Sequence, residues 1–182
     1  MIDSRQASEA LTEIDAIVRR VRQSRIYNLA SLSLIMWGVL VAAGYVATYL
    51  WPRHGGIVWI AIYIAGIAGS FAVSRVDHTR NGVRTFDART LAAFALFVAF
   101  GIFCSWLGHF TPRQLGTFWP IYFMLAYTIA GLWFGYAFVA IGLGITALTL
   151  IGYFFVGDAF DLWMVFVNGG GLILGGLWMR RS

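Results

Sequence analysis

Residues 118–157 read FWPIYFMLAYTIAGLWFGYAFVAIGLGITALTLIGYFFVG, forty positions without one charged side chain. A helix rises 1.5 Å per residue and needs about 20 apolar residues to cross the hydrocarbon core. The stretch therefore predicts two crossing helices with a tight turn between them, and Gly135–Tyr136 is the expected turn. Parity supports this count. The loop before the third apolar run carries Arg75, Arg80, Arg84 and Arg89, and the chain closes on Arg180–Arg181. Basic residues collect on the cytoplasmic side of a bilayer. An even number of crossings must then separate that loop from the C-terminal arginines. One span before the forty-residue run, two inside it and one after it meet that condition.

Working outward, spans are expected at about 28–50, 56–74, 89–109, 115–135, 138–156 and 160–179. All 13 basic residues are Arg, and eleven of them fall on the inner side, with Arg53 and Arg113 outside. Trp51, Trp59, Trp106, Trp119 and Trp163 fall at the outer ends, Tyr27 and Trp178 at the inner ends. Aromatic residues with a polar edge favour both interfaces. The expected fold class is an all-α integral membrane protein of six transmembrane helices in three outward-opening hairpins. A cytoplasmic amphipathic helix precedes them. The expected location is the cytoplasmic (inner) membrane of a bacterium, multi-pass, with both termini cytoplasmic.

Composition agrees and excludes other classes. Of 182 residues, 60% are hydrophobic and 12% charged. A soluble domain carries roughly 25% charged residues. Too little polar surface exists for a cytosolic enzyme, a disordered tail or a soluble nucleic-acid binder, so the net charge of +5 is read as topology and lipid headgroups. Cys104 is the single cysteine, so no internal disulfide and no Cys-based metal motif is expected. The polar stretch ahead of the first apolar run, and the length of that run, argue against a cleavable signal peptide.

Residues 1–27 read as the cytoplasmic helix and 28–182 as the membrane domain. Ala7, Ala10, Leu11, Ile14, Ile17, Val18 and Val21 recur at helical spacing and form one stripe. Acids come first and Arg19, Arg20, Arg22 and Arg25 last, an order that suits the helix dipole. Leu11, Ile14, Val18, Arg19 and Arg22 are the candidate docking residues, either for anionic lipid or for a cytosolic protein partner.

Local signals mark the other elements. Thr111-Pro112-Arg113-Gln114 is a capping box with Pro at the first helical position, and Pro120 predicts a kink. Asp87 and Asp158 are expected helix caps, and Asn81-Gly82 a turn. The pattern P-R-x-x-G-x-x-W occurs at 52–59 and again at 112–119. Gly131-x-x-x-Gly135, Gly171-x-x-x-Gly175 and Ala61/Ala65/Gly69 are small-residue motifs that let helices approach closely. They suit packing within the bundle first and a homo-oligomer face second.

Few residues carry chemistry. No Arg, Asp, Glu or His falls at mid-span, which argues against a buried proton relay, a voltage sensor or a deeply held haem. Asn168 is the one strongly polar side chain inside a span. It opens Asn168-Gly169-Gly170-Gly171, the candidate ligand-binding residues. An interhelical hydrogen bond is the simpler use; the alternative is a ligand contact beside loosened helix. His54, His109, Asp158 and Asp161 gather on the outer side and have the ligand chemistry of a divalent metal, although caps and interfacial positions explain them equally. No catalytic constellation is present and no cofactor is expected. The leading expectation is a non-enzymatic accessory or regulatory subunit that docks a partner through its N-terminal helix. The alternatives are a small-molecule transporter or channel using the glycine-rich sixth helix, and a cofactor-bearing membrane enzyme using His54 and His109.

Overall fold

A computed structural model describes the backbone of residues 4–81 and 88–181 and the side chains of residues 11–14, 27–75 and 88–181. Every described element is helical. In order they are α1 (Ser4–Leu50), a 3-10 turn (Pro52–His54), α2 (Gly55–Asn81), α3 (Ala88–Leu107), α4 (Pro112–Phe134), α5 (Tyr136–Phe155), α6 (Phe160–Met164), a π-helical stretch (Val165–Gly170) and α7 (Gly171–Arg181). Among the described residues six stretches are long and apolar enough to cross a membrane: Tyr27–Leu50, Pro52–Arg75, Ala88–Leu107, Pro112–Phe134, Tyr136–Phe155 and Phe160–Arg181. They match the expected spans to within a few residues. The chain is a multi-pass membrane protein.

The charge-free run splits where two spans require it. Gly135 sits at φ 133° and its N–H donates to the Gly131 carbonyl. That φ is open to glycine and costly for residues with a Cβ. The α4–α5 pair then packs backbone against backbone: a Cβ on Gly142 would stand 2.8 Å from the Met124 carbonyl oxygen. At the start of α4 the capping box forms in full. The Gln114 N–H donates to Thr111 Oγ1 at 3.3 Å, and the Thr111 N–H donates to Gln114 Oε1 at 2.8 Å.

α1 runs without a break through residues 27 and 28, so the helix itself marks no boundary between the expected segments 1–27 and 28–182. Its membrane half lies centrally and packs against α2, α6, the π stretch and α7. Two apolar clusters make the core. One joins Tyr27, Leu34, Met124, Phe138, Ile141 and Met179; the other joins Val41, Tyr45, Phe160 and Met164. α2 and α3 are peripheral. Ile57, Ile60, Ile64, Phe94, Leu96 and Phe100 are exposed, as side chains facing lipid are.

Several expectations take a different form. Trp59, Trp119 and Trp163 do not simply line an interface; they turn into the bundle. Trp59 meets Tyr45 edge-on at 4.9 Å, and the Trp163 ring N–H donates to the Leu148 carbonyl at 2.9 Å. On α2 the close seam uses Gly66 against Trp37 and Gly69 against Met36, while Ala61 and Ala65 are exposed. Asp158 does not cap α6. Ala159 holds the cap position with no side-chain bond, because the Phe160 N–H closes a turn onto the Gly157 carbonyl at 3.3 Å and starts the helix one residue later. The expected cap Asp87 and the turn at Asn81-Gly82 lie outside the described residues.

Candidate ligand site at the π-helical turn

Asn168 lies inside the π stretch and is buried, as are Val167 and Gly169. A π turn adds one residue to an α-helix and loosens its hydrogen-bond ladder. Three glycines in a row, Gly169 to Gly171, lower the cost of that loosening because helix propensity is weakest there. The turn is pressed against α1. A Cβ on Gly38 would stand 2.8 Å from the Gly169 carbonyl oxygen, and a Cβ on Gly169 would stand 2.6 Å from Ala42 Cβ. Gly171 and Gly175 meet Ile145 and Ile141 of α5. The small-residue motif on α7 thus serves packing inside the bundle.

Three polar side chains reach one level of the bundle from three elements. The Asn168 side chain lies beside the Tyr45 phenol of α1. The Tyr45 hydroxyl in turn donates to the Gly116 carbonyl of α4 at 2.8 Å. Thr149 of α5 is fully buried and its Oγ1 has no hydrogen-bond partner. Its level follows from its neighbours: Ile145 meets Gly171 and Gly152 meets Trp163, so the residue between them faces the π stretch. A buried hydroxyl without a partner costs roughly 1–3 kcal/mol.

Towards the loops that begin α4 and α6, Arg113 binds the open end of α5. One guanidinium nitrogen donates to the Tyr153 carbonyl at 2.8 Å and the Val156 carbonyl at 3.0 Å. Those carbonyls are the acceptors a helix C-terminus leaves over, and a cation there opposes the negative end of the dipole. The guanidinium also lies 5.2 Å from the Phe160 ring centre. Asp161 is half-buried in the neighbourhood of Arg113.

The other sequence candidates do not assemble. His54, His109 and Asp158 are exposed, and among the described residues no three His, Cys, Asp or Glu side chains come together as a metal would require. His109 has a structural task. It sits at φ 46° just past α3, its N–H donates to the Trp106 carbonyl at 3.2 Å, and the Phe110 N–H donates to the Ser105 carbonyl at 3.3 Å. This is the Schellman pattern that ends helices in the left-handed conformation. Of the docking candidates, Leu11 and Ile14 are 65% and 55% exposed. The side chains of Val18, Arg19 and Arg22 lie outside the described residues.

Tyr45 and Arg113 belong to the site although sequence reasoning did not single them out, whereas Thr149 is, with Thr128 and Thr146, one of the weaker hydroxyl candidates that the sequence offers. Tyr45 sits in an apolar run and reads as an interface aromatic, and nothing local reveals that its hydroxyl reaches Gly116, 71 positions away. The arrangement offers neutral donors and acceptors at depth and one anchored ion at the rim. Compared with protein-family models, curated proteins and solved structures, the chain matches none.

Proposed function

We propose that the protein is a non-enzymatic accessory or regulatory subunit of a bacterial cytoplasmic membrane that docks a cytosolic protein through the N-terminal part of α1. The finer topology belongs to this reading: three hairpins open outward, both termini are cytoplasmic, and residues before Tyr27 form an amphipathic helix beyond the bilayer. The observation that carries it is the course of α1. The helix continues unbroken from Ser4 to Leu50. It exposes Leu11 and Ile14 towards one end and packs against α7 and the π stretch along its middle, from Ser31 to Ala42. Exposed apolar residues on a helix outside the bilayer suit a groove on a partner. Anionic lipid is the competing occupant of that face.

The test is in-cell crosslinking from Leu11 and Ile14 positions, compared with a Leu11→Asp/Ile14→Asp double variant. A protein adduct that disappears in the variant supports docking. Adducts to lipid alone would defeat it.

A second reading, binding and passage of a small solute, draws support from the π turn with Asn168, Tyr45 and the unpartnered Thr149 hydroxyl. Solute flux into liposomes that falls at least tenfold in Asn168→Leu supports it. Equal flux in both proteins would reject it.

A further inference from the structure

Two recesses lie end to end along the groove between α4 and α5 and share Phe118. The one near the start of α4 is about 230 Å³ and is lined by Gln114 and Thr117 of α4 and Tyr153 of α5. Arg113 stands behind it, with its guanidinium 5.6 Å from the Tyr153 ring centre. The deeper one is about 240 Å³ and runs past Ile121, Leu125 and Thr128 of α4 to Leu143 and Thr146 of α5. The Thr128 hydroxyl turns back onto its own helix, donating to the Met124 carbonyl at 2.8 Å. Its methyl carbon is then what the cleft meets.

We propose that this groove holds one membrane lipid, with its polar headgroup beside Gln114 and an acyl chain along Leu125 and Leu143. The order of chemistry along the groove matches such a molecule, polar at the helix end and hydrocarbon below. The location matches too. Leu125 and Leu143 are 52% and 56% exposed, within stretches apolar enough to span the membrane, so the cleft opens on the bilayer. The deeper cleft, at about 240 Å³, suits a slender hydrocarbon chain and is too small to seat a whole helix about 10 Å across. Headgroup recognition follows from Gln114. Its Oε1 is engaged by the Thr111 N–H, which leaves the Nε2 hydrogens as donors for a phosphate or ester oxygen.

Native mass spectrometry of the full chain, extracted from its membrane in mild detergent, tests this directly. The expected result is one lipid mass retained per chain. Leu143→Trp, which fills the cleft, should lower that fraction at least tenfold, while Leu150→Trp elsewhere on α5 should leave it unchanged. A second measurement uses the unaltered protein in bilayers doped with a phospholipid carrying a photoreactive acyl chain. Crosslinks should concentrate on residues 121–128 and 143–146. No retained lipid, equal retention in Leu143→Trp, crosslinks spread evenly over the spans, or an added mass equal to a second chain would each overturn the proposal.

Discussion

At the scale of single residues, the molecule depends on a few places where no larger or differently shaped side chain fits. Gly38 faces the Gly169 carbonyl at a distance a Cβ cannot share. Overpacking of this kind costs typically 1–3 kcal/mol. Gly38→Val should therefore lower the melting temperature in detergent markedly, whereas Gly56→Ala, where a Cβ meets nothing within 4 Å, should leave it nearly unchanged. His109 gives a contrasting case. A residue with a Cβ pays about 1–2 kcal/mol in the left-handed region. His109→Gly should raise thermal stability by about 1 kcal/mol, and a His109→Val variant should lose stability. If His109 instead held a ligand, the glycine variant would lose that ligand's stabilisation, and the sign would reverse. Asn168 was legible from the sequence because one amide among apolar residues stands out. Its partner Tyr45 was not, because the pairing depends on how α1 slides against the π stretch, and no local pattern encodes that register.

Elements show which features composition reveals and which it conceals. The length of the charge-free run allowed two spans and no other comfortable number, and the turn falls at Gly135 as its neighbours suggested. The capping box at Thr111 was likewise written in four consecutive residues. The π stretch was not foreseen as such. Three glycines signal weak helix propensity, but no local pattern marks an extra residue in the turn or the close approach of Gly38 and Ala42 to it. Arg113 was read as an outer-side cation within the capping box, while its task is to bind the last carbonyls of α5. Hydrogen bonds to a charged group contribute about 1.5–3 kcal/mol. Arg113→Met should thus destabilise the α5 end, seen as faster amide exchange in residues 153–157 with little change at the opposite end of the bundle. Uniform exchange along α5 would deny the residue that role.

For the whole molecule, packing is uneven. α1, α4, α5 and the α6–α7 rod bury the two core clusters, while α3 leans on α4 through few contacts. Tyr122 stacks on Phe97 at 4.1 Å and its hydroxyl donates to the Phe97 carbonyl at 3.0 Å. Gly101 fits against the Trp119 ring. Regions with few buried contacts open first. In hydrogen exchange on protein in lipid nanodiscs, α3 should lose protection before α5, and Phe97→Ala should widen the gap. Equal protection of α3 and α5 would show that lipid or a second chain braces the periphery.

α1 has a mechanical consequence. Forty-seven residues of unbroken helix make a rod of about 70 Å, of which roughly 35 Å precedes Tyr27. On the topology proposed above, with the bilayer surface near Tyr27 as fulcrum, sideways force at Leu11 becomes opposite displacement at Tyr45 with nearly equal arms. The rod meets the π stretch where that helix is least stiff, so a push on the tip would be absorbed at Asn168.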